Sequence, residues 1–373
     1  MKGPIQVLIA DDSPSVRRIL EDVFRQGDEF EVVGSVEDGA QAIEAVERLR
    51  PDVVLLDVDM PVTDGLTALR QIMAHHPTPT VMISGAGAHA ASKTFRALEE
   101  GAVDFLLKYT PESPWDAESL HREVTGKLRT ASKVRAIRTL PARRMMDVPQ
   151  HLPGSSSANE KPDMLHNLET LRTGVVVIGA STGGPAALRQ LLQRLPTEFA
   201  QPILVVQHIP ESFIPVLAAQ LGRHTSLPVV PAEDGASLTP GVVFVAPGDT
   251  HLLLGPDGRI HLHPGPPVRG HRPAIDVTMQ SAARIYGSKT CGVLLTGMGD
   301  DGAEGLWAIH GAGGRTFAQD EDSSVVWGMP GRAFQQGSVD EVAPPEQIAR
   351  RLLDWAPPSD PHPRPRQVQG VSP

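Results

Sequence analysis

Short β-rich runs that alternate with helical periodicity, twice along one chain, constrain this sequence more than any other feature. Up to residue 125 the runs are IQVLIA, FEVVGSV, DVVLLD, PTVMIS and AVDFLLK. Between them, 13–25, 40–49 and 65–74 carry apolar residues at three- and four-residue spacing. This alternation predicts a parallel sheet covered by helices on both faces. A second alternating unit over 173–356 contains GVVVIGA, STGGPAALRQLLQRL, PILVVQHI, CGVLLTG and GAEGLWAIHGA, with one more strand and helix to close it. Within it, the turn signals PGD and GPDG in GVVFVAPGDTHLLLGPDGRIHLHPG predict an antiparallel excursion at the sheet edge.

The expected fold class is therefore α/β with two doubly wound domains: a flavodoxin-like unit over 1–125 and a mainly parallel unit over 173–356. A chain of 373 residues is long enough for both. Residues 126–172 lose apolar periodicity and read as a linker that is helical at its start. The Pro-rich stretch 357–373 reads as a disordered tail.

A net charge of -10 without clustered Lys and Arg argues against nucleic acid as a partner. One cysteine, Cys291, rules out an intrachain disulfide framework and suits a reducing compartment. The first apolar run is cut by Asp11 and Asp12, so it is no signal-peptide core. No stretch approaches the roughly 20 apolar residues that span a bilayer. The expectation is a cytoplasmic protein with no direct membrane insertion.

In a doubly wound sheet, ligands bind beyond the carboxyl ends of the strands. Those ends in the first unit carry Asp11 and Asp12, Asp57, Ser84 and Lys108. Three converging carboxylates would repel unless a hard cation such as Mg²⁺ joined them. A metal-bound carboxylate can then attack a phosphoryl group, with Ser84 and Lys108 holding the phosphoryl oxygens. Taken singly, each Asp serves equally well as a helix or turn cap.

Together DD, LLDVDMPVTDGL, MIS and DFLLK resemble the receiver domain of two-component response regulators, over about 4–125. The resemblance implies that a histidine kinase phosphorylates Asp57 and that Asp11 and Asp12 help to hold Mg²⁺. It further implies that Asp59 contributes its backbone carbonyl. The family places proline directly after the lysine, whereas this chain has Tyr109 there and Pro111 further on.

In the second unit, Gly179-Ala-Ser181-Thr-Gly183-Gly184 forms a glycine-rich turn between strand and helix. A dinucleotide site would place an acid about 20 residues on, but the next strand ends in Gln207-His208. The pattern also satisfies G-x-S-x-G, whose partners follow in the order Ser, acid, His. Beyond Asp301 only His310, in an expected helix, and His362, in the tail, remain. The third reading takes Ser181, His208 and Asp301 at neighbouring strand ends as nucleophile, base and orienting acid. Each also has a plain role, as a helix cap or a satisfied strand-end histidine.

The landmarks GASTGGPAAL, VVQHIPESF, VAPGDTHL, HRPAIDV, LLTGMGDDGAEG and AQDEDSSVVWGMPGRA resemble, in order, the chemotaxis protein-glutamate methylesterase family, CheB, over nearly all of 174–345. By this resemblance Ser181 is the nucleophile, His208 the general base and acid, and Asp301 rather than Asp300 the orienting carboxylate. Backbone amides near Thr182 and Met298 form the implied oxyanion hole. The implied reaction hydrolyses glutamate γ-methyl esters on chemoreceptor cytoplasmic helices, releasing methanol, with deamidation of glutamine as a second activity. No cofactor is expected for the ester chemistry. The rival class is a phosphorylation-switched adaptor that keeps the hydrolase fold without catalysis. His251, His261, His263 and His271 fit alternating strand faces better than a zinc set. The HRPAID segment, Arg272 included, is read as bracing the site, and Cys291 as buried and inert.

Overall fold

The structure, a computed structural model, describes residues 3–108, 117–134 and 174–357. The expectations for Tyr109, Pro111, the linker from 135 to 172 and the tail from 358 onward lie outside the described residues.

The first sheet comprises β1 (Ile5–Ala10), β2 (Phe30–Val36), β3 (Val53–Asp57), β4 (Thr80–Ser84) and β5 (Asp104–Leu107). Its order is β2-β1-β3-β4-β5 and every pair is parallel, the flavodoxin-like arrangement. Period-two alternation assigns each strand residue to a face. Val7, Ile9, Val53 and Leu55 pack against α1 (Pro14–Phe24) and α5 (Ala117–Ala131). Leu8, Ala10, Val54 and Leu56 face α2 (Gly39–Leu49), α3 (Gly65–His75) and α4 (Ala88–Glu99). Asp38 and Asp64 cap α2 and α3 by accepting the amides of Gln41 and Thr67, satisfying donors that a helix start leaves free.

One boundary moves. Helix α5 continues through Ala131, and its buried Leu128 and Ala131 belong to the core of the first unit. The apolar pattern thins after residue 125 because Lys127 and Arg129 intervene, not because the helix stops.

The second sheet contains seven parallel strands in the order β14-β13-β12-β6-β7-β9-β8. These are β6 (Val175–Ala180), β7 (Ile203–Gln207), β8 (Val229–Pro231), β9 (Val243–Val245), β12 (Thr290–Leu294), β13 (Arg315–Gln319) and β14 (Glu341–Ala343). Helices α6 (Gly184–Leu192), α7 (Ile214–His224) and α11 (Pro345–Asp354) cover one face. Helices α8 (Ile275–Tyr286), α9 (Ala303–Gly311) and α10 (Met329–Gln336) cover the other.

Two expectations for this unit need correction. The antiparallel excursion forms its own two-stranded sheet, β10 (His251–Leu254) with β11 (Ile260–His263), away from the main sheet edge. Its backbone bonds to side chains of α8 instead: Thr278 Oγ1 donates to the Leu252 carbonyl and Ser281 Oγ accepts from the Leu254 amide. The preceding run, all buried in β9, joins the parallel sheet because both of its faces are apolar. Among the described residues, the chain after α9 also contributes two strands and two helices, not one of each; β14 is only three residues long, too short for periodicity to register.

The two units share a continuous apolar core. Phe213, at the turn leading into α7, stacks on Phe105 of β5 with centroids 4.8 Å apart and planes 5° apart, and meets the edge of Phe95 at 5.9 Å. Beside them, Glu99 of α4 accepts from Gln220 at 2.7 Å and lies 3.5 Å from Arg189. Among the described residues, no helix is long and apolar enough to cross a membrane.

Candidate active site and phosphoacceptor site

The chain reverses direction across the second sheet at β6, with β7 on one side and β12 on the other. A crevice opens beyond the strand ends at such a point. Ala180 pairs with Gln207, so Ser181 and His208 are the residues that follow a matched pair on adjacent strands. The Ser181 amide donates to Thr296, its carbonyl accepts from Gly184, and Gln207 Nε2 also donates to that carbonyl at 2.9 Å. Helix α6 therefore begins at Gly184, with Gly183 in the left-handed region at φ 78° as its N-cap. Ser181 stands before the helix, not on it. A Cβ at Gly183 would lie 2.6 Å from Val325, so this tight turn requires glycine. The Ser181 hydroxyl makes no hydrogen bond among the described residues and faces a cavity of about 570 Å³, which His208 also lines.

His208 Nε2 lies 2.8 Å from Asp301 Oδ2, both side chains being nearly buried. Asp301 comes from the loop that follows β12. Its Oδ2 also accepts the Ile275 amide at 2.8 Å, and its Oδ1 accepts the Asp276 amide at 3.0 Å. Asp276 returns the arrangement: its Oδ1 accepts the amides of Gly302 and Gly305 at the start of α9, at 2.9 and 2.7 Å. Asp301 thus caps the helix whose first turn holds Asp276, and Asp276 caps the helix that follows Asp301. Asp301 caps α8, not the helix beginning beside it.

Burial is the largest influence on Asp301 and raises its pKa, but the His208 hydrogen bond and charge, with the two amides, bring it below the ordinary value. Asp276 goes the other way: burial, then the charge of Asp301, push it up to about 6. An ionised Asp301 can only accept, so Nε2 of His208 must carry the hydrogen and Nδ1 of the neutral ring holds the free lone pair. That Nδ1 is buried and unpartnered.

Of the expected oxyanion-hole residues, Thr182 is buried and Met298 is 39% exposed. Among the described residues, neither backbone amide donates to another group. Thr182 Oγ1 donates to Asp104 of β5 at 2.5 Å, and Met298 Sδ lies 3.1 Å from Thr130 of α5. The first unit therefore lies over the cavity, whose lining includes Asp104, Phe105, Arg122 and Lys127.

The histidines differ in their surroundings. His251 is tied at both nitrogens, to the Pro266 carbonyl and the Ala274 amide, and His261 meets Asp257. His271 stacks on His208, a relationship the sequence reading missed; its only signal was the HRPAID landmark, read there as bracing the site. Arg272 donates to the Gly265 carbonyl at 3.1 Å and also lines the cavity. Cys291 is fully buried, which pushes its thiol pKa up.

In the first unit, Asp11, Asp12 and Asp57 each offer a carboxylate oxygen within 4.8 Å of one another. Burial, opposed by the Lys108 hydrogen bond and reinforced by the charge of Asp11, pushes Asp57 up to about 6. Lys108 Nζ donates to Asp57 Oδ2 at 2.6 Å and lies 3.2 Å from Asp11 Oδ2. The buried Ser84 hydroxyl accepts from Thr94 at 2.6 Å. The side chain of Asp59 turns to Lys93 at 2.5 Å, and its amide donates to Asp57.

Comparison with known proteins gives consistent results. Residues 7–124 match the response regulator receiver domain model and residues 176–352 match the CheB methylesterase model. A protein of Geobacter metallireducens named "Protein-glutamate methylesterase/protein-glutamine glutaminase 1" is 41% identical, covering 94% of this chain and 96% of that protein. A Myxococcus xanthus protein, the fourth so named, is 42% identical over 94% of this chain and 96% of its own length. The solved Thermotoga maritima CheB methylesterase catalytic domain is 42% identical and covers 49% of this chain and 98% of that one, with a TM-score of 0.48.

Proposed function

This chain belongs to the family of CheB methylesterases that carry a response regulator receiver domain, and from that premise we propose that it is a phosphorylation-regulated protein-glutamate methylesterase. One observation carries the reading. Ser181 after β6 and His208 after β7 line one cavity, and Asp301, after β12, lies 2.8 Å from His208.

In the proposed reaction, Nδ1 of His208 takes the proton of Ser181 as Oγ attacks the γ-carbonyl carbon of a glutamyl methyl ester. The Thr182 and Met298 amides, free of other partners among the described residues, hold the developing oxyanion. The protonated His208, stabilised by Asp301, returns its proton to the leaving methoxide, and methanol departs. Water activated by His208 then hydrolyses the acyl-serine to glutamate. A glutamine side chain can enter the same sequence with ammonia as the leaving group, in keeping with the glutaminase part of the relatives' names. The substrates are glutamyl esters on chemoreceptor helices.

The receiver accepts a phosphoryl group at Asp57 from a histidine kinase. Asp11, Asp12 and Asp57 suit Mg²⁺, because the crowded carboxylates of buried Asp11 and Asp57, held partly by Lys108, together with exposed Asp12, favour a hard divalent cation. Bound there, Mg²⁺ would neutralise charge during phosphoryl transfer, while Lys108 and Ser84 hold the phosphoryl oxygens. The described contacts of β5 and α5 with Thr182 and Met298 favour a gating role: the unphosphorylated receiver covers the cavity, and phosphorylation frees it.

The test is methanol release from methylated receptor by the wild type, with and without a small-molecule phosphodonor, and by Ser181→Ala. Release by the wild type, increased by the phosphodonor and absent from Ser181→Ala, is expected. No release by the wild type would leave only the adaptor role; release surviving Ser181→Ala would reject the nucleophile.

A further inference from the structure

The mechanism assigns His208 two partners at its edge, yet the face of its ring is occupied as well. The His271 ring lies 3.9 Å from it, centroid to centroid, with the planes 5° apart. This placement is built into the backbone. Val268 and His271 exchange both amide hydrogen bonds, at 3.0 and 2.9 Å, across Arg269 and Gly270, whose φ values are 52° and 82°. Two positive φ angles in a two-residue loop define a tight mirror-image turn that leaves its flanking residues little freedom. The Arg269 side chain then ties the turn to both elements of the acid pair, reaching Asp300 at 2.5 Å and Asp276 at 3.3 Å.

The His271 ring makes no hydrogen bond among the described residues, unlike that of His251, so polar bracing does not explain its position. Burial, then the neighbouring His208, lower its pKa to about 4, against the opposing charges of Asp301 and Asp300. The ring is therefore uncharged at neutral pH, and its π face can lie against either protonation state of His208.

We propose that His271 is a positioning residue for the hydrolysis: its stacked ring holds His208 in the plane where Nε2 meets Asp301 and Nδ1 faces the nucleophile. An imidazole fixed only through Nε2 can swing about that hydrogen bond, and the stack removes this freedom. The inference rests on the proposed esterase reading. It assigns His271 no proton transfer.

The test uses the full chain, activated by a small-molecule phosphodonor, with methylated receptor as substrate and methanol release as readout. His271→Ala is expected to lower kcat on the order of 10- to 100-fold, with KM changing little, because a mispositioned base costs rate and not binding. His271→Phe, which keeps an aromatic face but no ring nitrogen, is expected to restore kcat to within about threefold of wild type, with the acid limb of its pH profile unmoved. His271→Leu fills the space without a ring face and replaces the alanine variant if that one does not fold. Wild-type kcat in His271→Ala or His271→Leu would overturn the proposal. So would His271→Phe falling as far as either, which would instead make the ring nitrogens essential. Inactivity of the wild type in the same assay would reject the esterase reading itself, so the two failures remain distinct.

Discussion

Asp301 and Asp276 cap each other's helices: Asp301 accepts the Ile275 and Asp276 amides opening α8, while Asp276 accepts the Gly302 and Gly305 amides opening α9. The loop after β12 and the HRPAID segment are thereby locked together. Nε2 of His208 meets a carboxylate whose orientation is already set.

That relationship makes the charge of Asp301, and not only its shape, the quantity to test. Asp301→Asn preserves size but can present an amide hydrogen to Nε2, favouring the wrong tautomer of His208. A loss of kcat on the order of 10²- to 10⁴-fold is expected in the methanol-release assay, with the fold retained by circular dichroism. Because Asp301 is held below the ordinary carboxylate value, its contribution to stability is present above the unfolded pKa and declines as pH falls through the folded one. Asp301→Asn should therefore cost more stability at neutral than at strongly acidic pH.

Asp57 carries the opposite sign. Its folded pKa of about 6 lies above the ordinary carboxylate value of 3.8, so the proton-linked stability is full below the lower value and lost as pH rises through the higher. Above pH 7 the ionised form costs on the order of 3 kcal/mol. Asp57→Asn should raise the receiver's unfolding midpoint at pH 8, with the advantage gone by about pH 4. Adding Mg²⁺ should stabilise the wild type more than the variant. An equal Mg²⁺ response in both would count against Asp57 as a ligand. The variant should also lose all stimulation by phosphodonor.

The receiver's hold on the cavity should depend on Asp104, which accepts from Thr182 and also lies 3.5 Å from Lys127. A hydrogen bond to a charged group contributes about 1.5–3 kcal/mol. Asp104→Ala should therefore raise the unstimulated rate on the order of 10- to 100-fold and reduce the further gain from phosphodonor. An unchanged basal rate would separate this contact from gating.

Gly183→Ala places a Cβ 2.6 Å from Val325 at a φ of 78°. It should cost about 1–3 kcal/mol of stability in thermal unfolding and most of the activity. Trimming the obstacle in Gly183→Ala/Val325→Ala should return part of both. No recovery would place the damage in the backbone conformation alone.

Much of the architecture could be read along the chain, because doubly wound sheets repeat a local pattern that needs no long-range contact to recognise. The flavodoxin-like class of the first unit followed from that alternation, and the family from the strand-end residues and from landmarks such as GASTGGPAAL. Two limits were local as well: β14 is too short for a period to register, and charged side chains mask the last turns of α5. The hairpin β10-β11 was legible as antiparallel, but not its partner, since only packing decides whether a hairpin pairs with a sheet or with a helix.

The site divides along the same line. The sequence by itself determined the chemical types at the strand ends, Ser181, His208 and Asp57, because a parallel sheet delivers every such residue to one edge. Only the tertiary structure decided that Nε2 of His208 takes the acid and Nδ1 stays free, that Asp276 and Asp301 cap each other's helices, that His271 lies on the His208 ring, and that Asp104 reaches Thr182 from the other unit. Hydrogen-bond direction, ring stacking and contact between units depend on distances of a few ångströms between segments far apart in the chain. No local period encodes those distances.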